Sequence, residues 1–219
     1  MSSEKSDRGQ GRAVMTPADS LGLRGMLSLP TQAQGIVVFA HGSGRLSRRN
    51  TFVARSLQNA GMATLLIDLL HDKEAKDRTR TFDTGFLADR LLAVTHWLSK
   101  QPETRALKLG YFGASTGAGA ALQAAARQPQ KITAIVYRGG RLDLAMAYLH
   151  RVQAPTLLIV GENDTSTLPF NETAYFQLQC SKRLVVVPGA THLFNEAGAL
   201  DKVAQATREW FLRHFLPQA

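Results

Sequence analysis

The stretch Tyr111-Phe112-Gly113-Ala114-Ser115-Thr116-Gly117 closes an apolar run that starts at Leu107 and opens an Ala/Gly-rich run that ends at Arg127. A strand that turns into a helix across G-x-S-x-G is the sequence form of a nucleophile elbow, in which a serine rides on a sharp, strained turn. Glycine on either side of such a turn lets backbone segments approach where side chains would collide. Ser115 is therefore expected to present its hydroxyl at the carboxyl edge of a sheet. Alone, the match also fits a Gly/Ser-rich turn that only packs a helix closely, so the context has to decide. Gly117 and Gly119 do not extend it into a dinucleotide loop: Leu122 stands where the third glycine would fall, and the first strand lacks the motif.

Outward from the elbow, short apolar runs recur at Gly35 to Ala40, Ala63 to Asp68, Leu107 to Phe112, Ile132 to Tyr137, Thr156 to Val160 and Leu184 to Val187. Their near-continuous hydrophobicity predicts strands buried on both faces. Helical patterns lie between them, at Thr51 to Ala60, Phe86 to Ser99, Gly117 to Arg127, Leu142 to Arg151, Phe170 to Leu178 and Leu200 to Phe215. This alternation predicts an α/β fold with a mostly parallel central sheet and helices on both faces. Ala13 to Pro30 reads as an extended hairpin turning at Asp19-Ser20-Leu21-Gly22. No repeat or linker interrupts the pattern, so residues 13–219 read as one domain behind a disordered polar leader, 1–12. The charged run His71 to Arg80 reads as a solvated loop, too short for a cap domain.

The apolar runs are far shorter than the roughly 20 residues of a membrane-spanning helix, and the leader lacks the apolar core of a secretory signal. A cytoplasmic location and no membrane partner follow as expectations. A net charge of +9 invites a nucleic-acid reading, but the basic residues are scattered and no binding motif accompanies them, so no nucleic-acid partner is expected. Cys180 stands alone and reads as buried packing. Trp97 and Trp210 fall on helical patterns and read as core or interface anchors. His71, Asp72 and Asp77 lack a ligand spacing, and neither a metal nor a cofactor is expected.

A serine hydroxyl needs a base to take its proton, and an imidazole needs a carboxylate to fix its tautomer. The run Thr156 to Val160 leads into Gly161-Glu162-Asn163-Asp164-Thr165, and the last apolar run leads into Pro188-Gly189-Ala190-Thr191-His192-Leu193-Phe194. Both therefore deliver their polar residue at the edge where Ser115 is expected. The resulting candidates are Ser115 as nucleophile, Asp164 as acid and His192 as base. Asp164 alone would read as a helix cap and His192 alone as a satisfied loop histidine; Asp143, after the preceding strand, is the rival acid.

An attacked carbonyl also needs two donors for its developing oxyanion. The backbone N–H of Thr116 is one candidate. The other is Ser43, or alternatively Gly44, in the loop His41-Gly42-Ser43-Gly44. Arginines crowd the same edge: Arg45, Arg48 and Arg49 after the first sheet strand, Arg138 and Arg141 after the fourth. Arg45 and Arg138 are the candidate contacts for an anionic substrate group, against the plainer reading of solvated arginines.

The order Ser115, Asp164, His192 and the four stretches Val37 to Gly44, Gly113 to Gly117, Ala154 to Gly161 and Pro188 to Phe194 resemble the dienelactone hydrolase-like branch of the α/β-hydrolase superfamily. That branch includes compact hydrolase domains joined to phosphoribosyltransferase domains, of which no segment is present here. The resemblance covers Gly35 to the C-terminus and implies the α/β-hydrolase fold. It further implies Ser115, Asp164 and His192 as a triad and metal-free hydrolysis of a small ester or lactone substrate. True dienelactone hydrolases carry a cysteine nucleophile where this chain has Ser115. An acyltransferase or peptidase using the same triad, or a noncatalytic module that binds a small carbonyl compound, are the alternatives. The sequence leaves the oligomeric state open.

Overall fold

The computed structural model describes residues 11–41 and 47–216. Eight strands form one sheet in the order β1-β2-β4-β3-β5-β6-β7-β8. β1 (Arg12–Thr16) and β2 (Leu23–Ser28) are the expected hairpin, antiparallel with Thr16 opposite Leu23. The hairpin begins at Arg12, so the last residue assigned to the leader is already sheet. β2 pairs antiparallel with β4 (Ala63–Asp68). From β4 onward, β3 (Gly35–His41), β5 (Lys108–Ala114), β6 (Ala134–Arg138), β7 (Thr156–Gly161) and β8 (Lys182–Val187) continue the sheet in parallel.

The unbroken hydrophobicity of β3 to β7 follows from helices on both faces, whereas β8, expected to be buried on both faces, is the edge strand and leaves Val186 40% exposed. Along β3, Ile36, Val38 and Ala40 enter the core shared with α3 (Thr84–Leu98) and α4 (Thr116–Arg127). Val37 and Phe39 enter the opposite core beneath α1 (Arg48–Asn59) and α6 (Ala199–Phe215). A helix α5 (Leu168–Gln177) contributes Ala174 to the α3 and α4 side. Trp210 is buried in the second core and Trp97 packs against the first, as anchors. Cys180 is half-buried beside the Thr156 hydroxyl, and burial pushes its thiol up. Among the described residues, no helix is long and apolar enough to cross a membrane.

Two segments depart from the sequence reading. Residues Leu142–Arg151 form 3-10 turns broken at Ala145 (φ −137°, ψ 15°), not a regular α-helix. The expected loop from His71 to Arg80 holds a 3-10 turn, Glu74–Lys76, and a short helix α2 (Arg78–Phe82) capped by the Asp77 carboxylate on the Thr79 N–H. The segment is also tied down: buried Arg90 pairs with both Asp19 and Glu74, and the His71 ring lies 2.9 Å from Asp19. His71 thus serves this anchor, apart from Asp72 and Asp77. A ten-residue polar run hides such order because each charge looks solvated until its partner, here up to 52 positions away, is known.

Candidate active site

Parallel strands open their carboxyl ends to one edge, where such sheets bind ligands. There β5 ends at Ala114 and α4 begins at Thr116, leaving Ser115 in the turn with φ 53° and ψ −124°. L-residues rarely hold this conformation, and its cost of order 1–3 kcal/mol is borne where a fold over-determines it. The over-determination is visible in the flanking glycines. A Cβ on Gly117 would stand 2.3 Å from the Ala40 carbonyl oxygen, and one on Gly113 would stand 2.6 Å from the Ala118 Cα. Thr116 is the first residue of α4, so its N–H has no intrahelical acceptor and is free to serve a ligand.

Asp164 follows β7 and is 3% exposed. Its Oδ2 lies 2.7 Å from His192 Nδ1, while Ser166 Oγ donates to Oδ1 at 2.7 Å and the Thr167 hydroxyl and N–H also donate. Burial pushes the carboxyl up, but the hydrogen bonds from Thr167, Ser166 and His192 outweigh it and hold the group below its ordinary value. With Nδ1 committed to Asp164, Nε2 is the ring nitrogen left for a proton from the cleft. The loops carrying the two residues are knitted together: Asn163 N–H donates to the Ala190 carbonyl at 2.9 Å, and Gly189 N–H to Glu162 at 2.7 Å.

A third element steadies the ring. Gly139, just past β6, has φ +53°, and a Cβ there would press on His192 Cε1 and Nδ1 at 3.3 Å. Phe194, two residues beyond the histidine, also holds a positive φ of 55°. The rival acid Asp143 is occupied elsewhere, bound through both oxygens by Arg141 at 2.9 and 2.8 Å.

A cleft of about 260 Å³ brings these parts together, lined by Ser115, Thr116, His192 and Arg138 with His41, Arg49, Thr81 and Phe82. Among the described residues no hydrogen bond joins the Ser115 hydroxyl to His192; catalytic contacts of this kind commonly tighten only around substrate. Ser43, Gly44 and Arg45 lie outside the described residues. Arg138 is buried in the cleft wall rather than solvated, and Arg49 joins it. Sequence reasoning missed Gly139, the donors Ser166 and Thr167, and the cleft contacts Thr81 and Phe82. Only the first carried any signal, as one of two glycines after an apolar run.

The family model described as the Dienelactone hydrolase family matches residues 23–215. Two curated proteins of Mycobacterium tuberculosis, one from strain H37Rv named "Putative phosphoribosyl transferase Rv0571c" and its counterpart from strain CDC 1551, are each 51% identical over 203 residues. Those matches take in 92% of this chain and 46% of each relative, so the chain spans about half the length of the curated relatives it matches. A solved dienelactone hydrolase from Anabaena variabilis is 54% identical with a TM-score of 0.90, covering 94% of this chain and 99% of that one. Est1E from Butyrivibrio proteoclasticus, 17% identical with a TM-score of 0.77, shares the fold over 94% of this chain and 99% of its own.

Proposed function

The chain belongs to the dienelactone hydrolase family, and from that premise we propose that it is a serine hydrolase of small carboxylic esters or lactones, working through an acyl-enzyme. The observation that carries this reading is the meeting of a strained Ser115 with an Asp164-bound His192 in one cleft. In the proposed cycle, Ser115 Oγ attacks the substrate carbonyl as His192 Nε2 takes its proton, and the carbonyl oxygen becomes the oxyanion of a tetrahedral intermediate. The Thr116 N–H stabilises that charge, with Ser43 as its assigned partner. Collapse breaks the ester bond, His192 returns the proton to the leaving alkoxide, and the acyl group stays on Ser115. Water, deprotonated by His192, then releases the acid, while Asp164 holds the imidazole and stabilises its charged form.

No step asks for a metal or an organic cofactor. The small cleft favours compact substrates over aggregated lipid. The transferase named for the mycobacterial relatives belongs to proteins about twice as long, and the elbow with its histidine and acid fits acyl chemistry.

The test is release of p-nitrophenol from acetate and butyrate esters by wild type and Ser115→Ala side by side. Wild-type turnover that falls by about 10³-fold or more in the variant is expected. Equal turnover in both removes Ser115 as nucleophile; no wild-type turnover, with no labelling of Ser115 by a fluorophosphonate, favours a binding module.

A further inference from the structure

Asn171 stands in the first turn of α5, outside the cleft and fully buried. Its Nδ2 donates to the Gly140 carbonyl at 3.1 Å and to the Thr167 carbonyl at 2.8 Å. Both partners are carbonyl oxygens, which decides which end of the amide faces them. The other end is idle: among the described residues Oδ1 is buried without a donor. A buried acceptor left unmade costs more than a net hydrogen bond returns, so bracing of the helix is a weak reason for an amide at this position.

The two carbonyls lead to opposite halves of the site. Thr167 gives its hydroxyl and its N–H to Asp164, which holds His192. Gly140 shares a peptide unit with Arg141, whose N–H donates to the Ser115 carbonyl at 3.2 Å. In a planar trans peptide the C=O and N–H point in opposite directions, so Asn171 Nδ2, that peptide and the Ser115 carbonyl form a chain in which each bond polarises the next. The same turn grips Ser115 from its other side, since the Arg138 carbonyl accepts the Ser115 N–H at 3.4 Å. It also carries Gly139, which backs the His192 ring. Buried Gln123 supplies the contrast. Its Nε2 donates to Thr84 Oγ1 at 2.6 Å and to the Leu144 carbonyl at 3.5 Å, joining α4 to elements that carry none of the three reacting residues.

We infer that Asn171 is a positioning residue for the acyl transfer: one side-chain amide sets the Ser115 turn and the Asp164 loop at a fixed separation, so that hydroxyl and imidazole meet in the reacting geometry. The inference rests on the hydrolase reading above. Misplacement of a reacting group by about 1 Å can cost on the order of 10²-fold in rate, and the amide is the side chain that ties both loops at once.

The experiment compares wild type, Asn171→Leu and Gln123→Leu. Fluorophosphonate labelling run to completion counts the active sites, and kcat and KM for p-nitrophenyl acetate are expressed per labelled site, with Tm measured alongside. Asn171→Leu roughly keeps the volume and removes both donors. Its kcat per site should fall about tenfold or more with KM within about twofold, and its labelling rate should fall by a similar factor. Gln123→Leu should lower Tm and hold kcat per site within about twofold of wild type. If Asn171→Leu lowers Tm but keeps the wild-type kcat per site, the amide only braces the fold and the proposal is overturned. An equal loss of kcat in Gln123→Leu overturns it too. If Asn171→Leu does not fold, Asn171→Ser, whose hydroxyl is too short to reach both carbonyls, carries the same readings. If Ser115 labels but the acetate ester is not turned over, the labelling rates carry the comparison. A wild type that neither turns over the ester nor labels at Ser115 sinks the hydrolase reading and this inference with it, whereas wild-type turnover with an unimpaired Asn171→Leu sinks the positioning role alone.

Discussion

Asp164 and Arg138 stand at the ends of neighbouring strands and are almost equally buried, at 3% and 7% exposure. The carboxylate is saturated, with donors from Ser166, Thr167 and His192. The guanidinium has one long contact and two idle groups. Because a buried polar group without a partner costs far more than a net hydrogen bond returns, the two sites solve different problems. Saturation fixes a geometry: every lone pair that Asp164 spends on a loop donor restricts how His192 can turn. The unpaired guanidinium instead concentrates positive charge in the wall of the cleft that Ser115 and His192 line.

The saturated side breaks most visibly at its centre. Asp164→Asn keeps the size of the side chain but presents an amide to His192 Nδ1, which reverses the donor relation and favours the wrong tautomer. Turnover of p-nitrophenyl acetate should fall by about 10³- to 10⁴-fold with the native circular dichroism retained. A loss under tenfold would show that the 2.7 Å contact holds the loops together and does not orient a base. A smaller break comes from Gly139→Ala. Its Cβ would crowd the His192 ring at 3.3 Å in a backbone conformation unfavourable to alanine. Turnover should drop roughly tenfold by displacement of the ring, with KM little changed.

The comparison also explains what could be read from the chain. The strand and helix alternation, the elbow and the order of Ser115, Asp164 and His192 were legible because each depends on local pattern: apolar runs, glycines at a turn, a polar residue just past a strand. The order of the segment before α2 was not, since Glu74 is tied to Arg90, 16 positions on, and Arg90 to Asp19, 71 positions back. Arg138 was legible only as a charge at the right edge. Its burial and lack of a counterion come from how β6, α1 and the loop with Phe194 converge, and a guanidinium looks alike in sequence whether solvated or stranded.

A milder test sharpens the saturated side through pH. Burial alone would lift the Asp164 carboxyl; the Thr167, Ser166 and His192 donors pull it below its ordinary value. A carboxylate whose native pKa lies below its unfolded one stabilises the fold above the unfolded value, near about 4, and loses that contribution as pH falls through the native value. Thr167→Val removes one donor and narrows the gap. Urea unfolding near neutral pH should show a loss of about 1 kcal/mol, and the deficit should shrink as the pH drops below about 4. A deficit that is the same at both ends would mean that the hydroxyl contributes by packing.

The smallest effect is expected at Asp143, and it carries weight because this residue competes with Asp164 for the histidine on sequence grounds. It sits in the 3-10 segment after β6, and both of its oxygens are taken by Arg141. That pair is partly solvent-exposed, at 34% and 20% for the two side chains, so its contribution to stability is small. Asp143→Asn should leave ester turnover within about twofold of wild type and the unfolding midpoint nearly unchanged. A collapse in turnover comparable with that of Asp164→Asn would mean that the 3-10 segment reorganises in solution to hand its carboxylate to His192. The saturation of Asp164 would then brace a loop, and the contrast between the two sides of the cleft would have to be redrawn around Asp143.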